Sequence, residues 1–431
     1  MKYKQKRPAG PMPMRVAIVN AGGFNVDYVY GLLAALARQG EIYFDLLDSN
    51  QSLHLYDRFS NVRVFSLLGQ EGAEVPIWYK GWRQIRYYCR LFWYVVGTDA
   101  TVFHIQWLNG FELFERLAVV PWIRIMGKGL VFTAHNVDTH ARNDGRSSLL
   151  NRITLSFMYR RMDRIIAHTE SIRAELTAQF GIPIQRINVI PHGILGVRAG
   201  RRGVSQQQAR ASLGIPLGAR VLLFFGSWEP YKGLDLLVRA MAVAVASNPS
   251  LHLVIAGAAT NDFYRREIES LVRESSLENR VTMYPDFVPD SALETYFSAA
   301  DCAVLPYRRI SQSGIPFMAY SFGLPVIASR VGGLPETVVP GVTGLLFEPN
   351  NITELVDAIS EYFSSDLYRN LSQTRTRIAE FARVSFSWDT SAALTAETYR
   401  SIAPHYNVQR EKPRLSAQPS VDGGPSECKA K

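Results

Sequence analysis

The feature that most restricts this chain is a rhythm repeated twice. Short runs of β-branched and aromatic residues alternate with longer stretches whose apolar residues recur at helical spacing. The first series has runs at Arg15 to Asn20, Ile42 to Leu47, Val62 to Phe65, Thr101 to Gln106, Gly129 to Ala134, Arg164 to His168 and Ile187 to Pro191. The second has them at Arg220 to Phe225, Leu251 to Ala256, Arg280 to Tyr284, Asp301 to Leu305, Pro325 to Ala328 and Gly344 to Phe347. Tyr28 to Gln39, Leu149 to Met162, Gly233 to Ser247, Glu267 to Ser275 and Ile352 to Phe363 carry helical patterns between them. Strands this apolar need cover on both faces, and helices alternating with them supply it. The expectation is an α/β protein of two doubly wound parallel sheets facing a central cleft.

From Gly193 to Pro216 the text turns to Gly, Arg, Gln and Ser, which reads as a linker followed by a short helix. The predicted organisation is a basic flexible N-terminus over 1–13, a first domain over 14–192, a linker over 193–217 and a second domain over 218–385. A C-terminal helix over 386–404 is expected to pack back toward the first domain. The Pro-, Ser-, Gly- and Lys-rich tail over 405–431 is expected to be disordered.

The 431 residues are enough for two cores, and 47% apolar with 20% charged residues excludes disorder over most of the length. Cys89, Cys302 and Cys428 are too few and too scattered for a disulfide framework or a cysteine zinc site, which suits a reducing cytoplasm. The basic, Pro-rich start lacks the apolar core of a signal peptide, and no run reaches the length of a membrane span. The charge excess is one-sided. Residues 1–200 hold 24 Lys+Arg against 15 Asp+Glu, whereas 201–431 hold 23 of each. The first half is therefore expected to meet an anionic partner.

Chemistry gathers where strands give way to helices. After Val221 to Phe225 comes Gly226-Ser227-Trp228-Glu229-Pro230-Tyr231-Lys232-Gly233. A tight turn and a helix start present backbone N–H groups and a positive dipole end to the crevice, where Lys232 can meet a phosphate. An ordinary loop with a solvated lysine reads the same way. A second place of this kind follows Asp301 to Leu305, at Ser311-Gln312-Ser313-Gly314-Ile315-Pro316. There Ser313 suits an N-cap and Pro316 a first helical turn, as simple capping would also require.

These stretches occur with Ile255-Ala256-Gly257, Gly323-Leu324-Pro325-Val326-Ile327-Ala328, Gly332-Gly333-Leu334-Pro335-Glu336 and Gly341-Val342-Thr343-Gly344. The ordered set resembles the donor-binding domain of family-four glycosyltransferases, retaining enzymes of GT-B fold that use nucleotide-sugar donors. The likeness runs over about residues 15 to 400. It is nearest to a bacterial exopolysaccharide-type subset with Gln-Ser-Gly in the donor loop.

The resemblance implies donor contacts from Gly226, Ser227, Lys232, Gln312, Ser313, Gly314 and Glu336. It also implies an acceptor or diphosphate loop at Gly22 and Gly23, following Arg15 to Asn20. His135, in Phe132-Thr133-Ala134-His135-Asn136-Val137-Asp138-Thr139-His140, matches the histidine that positions the donor sugar and is the candidate catalytic residue. A structural histidine at a strand end is the alternative. His192, in Val189-Ile190-Pro191-His192-Gly193, reads as a hinge residue. The nucleotide sugar is a substrate, so no cofactor is expected. The chain has no Asp-x-Asp, so no metal is expected either.

Two features depart from the family pattern. The places of its glutamate pair hold Ile310 and Met318, and the basic residue of its first phosphate loop is replaced, with Ser227 and Glu229 in the two candidate places. Lys232, helix N-termini and Arg308 or Arg309 are left to meet the leaving-group charge.

Trp82-Arg83-Gln84-Ile85-Arg86-Tyr87-Tyr88-Cys89-Arg90-Leu91-Phe92-Trp93-Tyr94 can form a helix with Arg83, Arg86 and Arg90 along one side. Arginine beside interfacial Trp and Tyr suits an anionic membrane surface, although aromatic stripes also build cores. With docking, the expected acceptor is a polyprenyl-diphosphate-linked saccharide at the cytoplasmic face of the plasma membrane. Scattered basic residues without a nucleic-acid motif argue against nucleic acid. A GT-B subunit that binds donor without turnover and a sugar-nucleotide epimerase are the competing classes.

Overall fold

A computed structural model describes residues 14–20, 26–48, 55–67, 77–138, 148–194 and 203–407. The first sheet is built from β1 (Arg15–Asn20), β2 (Tyr43–Asp48), β3 (Val62–Ser66), β4 (Val102–Trp107), β5 (Gly129–Ala134), β6 (Arg164–Ala167) and β7 (Ile187–Val189). The second has β8 (Arg220–Phe225), β9 (Leu251–Ala256), β10 (Val281–Tyr284), β11 (Cys302–Leu305), β12 (Val326–Ser329) and β13 (Gly344–Phe347). Every strand read from the sequence is present, with ends shifted by at most two residues.

All pairings are parallel. The spatial orders are β3-β2-β1-β4-β5-β6-β7 and β10-β9-β8-β11-β12-β13. In each sheet the order reverses beside the strand that opens the series, between β1 and β4 and between β8 and β11. Loops leaving adjacent strands there pass to opposite faces of the sheet, which opens a crevice at the carboxyl edge. Uniform burial explains why these strands carry little alternation: β5 and β9 are buried at every position.

Helices begin where side chains replace missing acceptors for the first amides. Ser148 Oγ accepts from Asn151 N (3.1 Å) to open Leu149–Tyr159, and Asn351 Oδ1 accepts from Glu354 N (3.1 Å) to open Ile352–Ser364. Helix Asp262–Glu274 starts five residues before the expected Glu267. Its cap is Asn261, whose Oδ1 accepts from Phe263 N at 2.8 Å, so residues 262–266 form its first turns.

Two boundaries differ from expectation. Much of the stretch expected as linker belongs to the second domain. Helix Gln206–Ser212 buries Ala209 and Arg210, and the Arg210 guanidinium makes a twofold contact with Asp301 at 2.9 Å. Asp301 also accepts from Val221 N (2.7 Å), tying the helix to β8. The C-terminal helix, Trp388–Asn407, continues past 404, where the tail was expected to begin. The basic terminus 1–13 and residues 408–431 lie outside the described residues.

That last helix lies on the first domain. Ala392, Ala396, Tyr399 and Ile402 share a buried cluster with Val16, Ile18, Leu33 and Phe44. At its start Trp388 wedges between two glycines: a Cβ on Gly31 would lie 2.3 Å from the indole, and one on Gly193 would lie 2.1 Å from it. Trp388 Nε1 donates to Ile194 O (2.8 Å). Trp388→Ala is expected to cost about 2–3 kcal/mol, less than a fully buried tryptophan because this ring is part-exposed, as read from urea denaturation.

Candidate active site

At the second domain's switch point the loops after β8, β9 and β11 interlock through glycine. Gly226 has φ +119° and Gly257 has φ +132°, and a Cβ on Gly257 would lie 2.3 Å from Gly226 O. Gly233, at φ +66°, would put a Cβ 2.1 Å from Pro306 O. Side chains at Gly233 and Gly257 would separate the loops.

The interlock brings the two proposed phosphate loops together. From the Cβ position of Gly226, Lys232 Nζ is 3.0 Å away and Ile315 Cδ1 is 3.8 Å away. Lys232 is buried, and its Nζ donates to Ser227 Oγ at 2.9 Å. Gly226, Ser227 and Lys232 therefore form one cluster beside Ile315, which opens the helix Ile315–Ser321.

Ser313, expected as N-cap, stands one residue too early. Gly314 occupies the cap, and Ser313 Oγ accepts from Ile315 N (3.2 Å). Gln312 Nε2 is buried without a hydrogen-bond partner.

The neighbouring charged groups are committed elsewhere. Glu229 Oε1 accepts from Thr260 Oγ1 (2.6 Å). Arg308, a candidate for the leaving-group charge, is bound to Asp235 at 2.8 and 2.7 Å and to Pro230 O at 2.8 Å. Burial alone would raise the Asp235 pKa, but Arg308 holds it below the usual value. Arg309 is exposed. Ile310 and Met318 pack against the second domain's core.

Glu336, expected to touch the donor, reaches the first domain in this structure. Its Oε2 and Oε1 accept from the backbone N–H groups of Glu170 (2.7 Å) and Ser171 (2.8 Å).

On the first domain, His135 follows β5 and is buried. Its ring stacks on Trp107 (4.6 Å, 4°), and Nε2 lies 3.2 Å from Gln106 Oε1, which makes Nε2 the protonated nitrogen. Asn136 Oδ1 is buried without a partner. These residues border a cavity of about 280 Å³ that also reaches Glu112, Arg116, Met158 and Tyr159. Gly22 and Gly23 lie outside the described residues, as do Thr139 and His140.

The sequence reading missed the ring assembly beneath the cleft. Tyr28 lies 4.7 Å from His135, 5.2 Å from His168, 4.9 Å from His192 and 5.2 Å from Trp388, between ring centroids. His192 stacks on Phe317 of the second domain (4.8 Å, 12°). The only sequence signal for this assembly was the placement of His135, His168 and His192 at or just beyond strand ends.

The helix Ile77–Gly97 divides its aromatics between two environments. Tyr87, Tyr88, Leu91 and Val95 are buried, while Trp82, Ile85, Trp93 and Val96 face outward, Trp93 at 76% exposure. Arg86 and Arg90 are exposed, and Arg83 is half-buried. The helix therefore has one buried aromatic face and an exposed face that carries aromatic and basic residues. Among the described residues, no helix is long and apolar enough to cross a membrane, and no group of three or more His, Cys, Asp or Glu is placed to hold a metal ion.

Comparison with known proteins agrees over both domains. The family Glycosyltransferase Family 4 matches residues 26–194, and Glycosyl transferases group 1 matches residues 205–384. A D-inositol 3-phosphate glycosyltransferase of Corynebacterium glutamicum is 30% identical over 298 residues, covering 65% of this chain and 69% of the relative. The chain belongs to the group 1, family 4 glycosyltransferases. A second D-inositol 3-phosphate glycosyltransferase, from Arthrobacter sp., is 29% identical over 70% of each chain.

The glycosyltransferase shares its GT-B fold with sucrose-phosphate synthase from Thermosynechococcus elongatus (TM-score 0.70, 22% identity, 90% of this chain and 99% of that one). It shares it too with Anabaena HepE, solved in complex with UDP-glucose (TM-score 0.68, 19% identity, 90% and 100%).

Burial holds the histidines of this glycosyltransferase neutral. It lowers His104 to about 3, His168 to about 4 and His192 to about 3. His135 is also pushed well below its ordinary value, by burial first and then by His168, His192 and His104. In the unfolded chain these groups titrate near 6.5, so below that pH the unfolded state binds protons that the folded state refuses. Their contribution to stability is complete above pH 6.5 and is lost progressively toward pH 4, at up to about 1.4 kcal/mol per pH unit for each histidine. Urea midpoints at pH 7.5, 6.0 and 5.0 should fall in that order.

Proposed function

We propose that this glycosyltransferase moves a hexose, with retention, from a GDP- or UDP-linked sugar to a saccharide acceptor, and that the acceptor is polyprenyl-diphosphate-linked and serves surface polysaccharide synthesis. The observation that carries the donor side is the convergence of the loops around Gly226 and Ile315 on buried Lys232. Cleavage of the anomeric C–O bond leaves a nucleoside diphosphate with new negative charge. A fixed ammonium in a water-poor site stabilises that charge more than a mobile one in solvent. The acceptor hydroxyl forms the new bond to the same carbon, and its proton passes to an oxygen of the departing diphosphate. HepE with UDP-glucose is a fold relative solved with such a donor.

The acceptor reading rests on the first domain's outer face. Besides the exposed apolar residues of Ile77–Gly97, this domain exposes Phe111, Leu113, Phe114 and Leu117 in the stretch 111–125, and Leu149, Leu150 and Ile153. These elements are contiguous: Phe114 meets Tyr88 at 4.7 Å, and Arg116 donates to Asn151 Oδ1 at 2.6 Å. An apolar face edged by Arg86, Arg90 and Arg152 suits the headgroup region of an anionic bilayer, the proposed site of action at the inner face of the plasma membrane. Transfer is proposed to need no metal, so activity is expected to survive EDTA.

A panel of GDP, UDP and ADP with their sugars tests the donor. A nucleotide at a hundred times its dissociation constant adds about 2.7 kcal/mol of stability, and Lys232→Ala is expected to abolish that thermal shift. An unchanged shift removes the site. Incubating donor with and without acceptor and analysing the products separates transfer from epimerisation. For docking, replacing Arg83, Arg86 and Arg90 together by Gln is expected to weaken co-sedimentation with phosphatidylserine vesicles by about a hundredfold, at roughly 1 kcal/mol per charge. Undiminished binding returns the helix to an ordinary domain element.

A further inference from the structure

The segment after β12, from Val331 to Glu336, contacts the first domain at the start of helix Glu170–Phe180. A helix leaves its first amides without partners inside the helix. Here Thr169 Oγ1 accepts from Ile172 N (3.2 Å), while the amides of Glu170 and Ser171 are taken by the two oxygens of Glu336 from the opposite domain. The cap is thus divided between the domains. A carboxylate on paired amides at the positive end of a helix is a charge-assisted, directional contact.

The approach depends on Gly333, where a Cβ would lie 2.5 Å from Thr169 Cγ2. The same segment is joined to the donor loop. Gly333 N donates to Ser311 O (2.9 Å), and Gly332, at φ +51°, lies so close that a Cβ would be 1.8 Å from Ile310 O. Ser311 Oγ also lies 3.5 Å from Glu175 of that first-domain helix. What Glu336 holds across the gap is therefore bonded to the residues immediately before Gln312-Ser313-Gly314.

We propose that Glu336 is a positioning residue for sugar transfer: it clasps the two domains in the closed arrangement and, through Gly333 and Ser311, fixes the loop that presents Gln312 and Ser313. The clasp sits on the surface, so it can release and re-form as substrate enters and product leaves. The inference rests on the donor reading of residues 226–233 and 312–316, and it gives Glu336 a task other than contact with the nucleotide.

The test compares wild type with Glu336→Gln, Glu336→Ala, Glu336→Asp and Gly333→Ala in the full chain. The last variant disturbs the same contact without altering the carboxylate. UDP and GDP thermal shifts are expected to match wild type in all four. Turnover is expected to fall about tenfold in Glu336→Ala and Gly333→Ala, with donor KM within about twofold and partial recovery in Glu336→Asp.

Small-angle scattering of the nucleotide-free protein is expected to show a larger radius of gyration for Glu336→Ala than for wild type. Loss of the nucleotide shift in Glu336→Gln would overturn the clasp in favour of a donor ligand, and unchanged turnover and scattering would overturn it outright. If no nucleotide shifts the wild type, the donor reading fails, and the scattering comparison still decides the clasp.

Discussion

Both crossings of the chain between the two sheets run side by side, and that pairing is the constraint on which the cleft depends. The outward crossing passes through Pro191, His192, Gly193 and Ile194, and the return passes through Phe386 to Trp388. They are bonded to each other: Ile194 N to Phe386 O (2.7 Å), Trp388 Nε1 to Ile194 O (2.8 Å) and Ser391 Oγ to Pro191 O (2.7 Å). Around them Tyr28, His135, His168, His192 and Phe317 close into an aromatic and imidazole block that belongs to both domains. Two crossings fixed at one place leave the domains a hinge with a narrow range of motion. Neutral imidazoles suit such a block because they stack and hydrogen-bond without a charge to solvate.

The consequence for the donor side is that its loops can be rigid. Gly233 and Gly257 let backbone segments pass at distances that a side chain would forbid, Gly226 turns at φ +119°, and Lys232 reaches Ser227 within that layer. A catalytic charge is worth most when its position needs no reorganisation at the moment of reaction. The exposed Glu336 contact is the opposite kind of interaction, one suited to opening. Rigid loops within a domain and a releasable contact between domains are what a two-domain cleft needs if substrate is to enter and then be surrounded.

The strands were legible because a buried parallel strand is a short apolar run with turn residues at its ends, and both signals are local. The joining of residues 226–233 to 312–316 was legible for the same reason: glycines and a lysine at strand ends mark a crevice edge. What the text could not carry was partner choice across distance. The sequence marks Arg308 and Glu336 as candidates for the diphosphate and the donor, and it gives no sign that Arg308 pairs with Asp235 or that Glu336 meets helix Glu170–Phe180. Arg210 looked like linker composition because its partner, Asp301, is 91 residues away. The helix Ile77–Gly97 was ambiguous because its aromatics serve both a core and a surface, and periodicity alone does not say which face is turned in.

On the proposed reaction, several of the charges near the donor loops are paired or turned away. Glu229 is turned to Thr260, Asp235 and Arg308 neutralise each other, and Glu336 faces the opposite domain. Ile310 and Met318, where the family pattern has carboxylates, contribute no charge. Lys232, whose ammonium lies against Ser227 and beside Gly226, adds positive potential there together with the amide dipoles of the loop. Such a site favours the departing diphosphate more than the positive sugar centre. Stabilisation of an oxocarbenium-like transition state is then left to the leaving group itself, held close by the same ammonium that draws electron density from the breaking bond. On that proposal, the position of Lys232 within its loop, set by its bond to Ser227, is a variable on which turnover would depend.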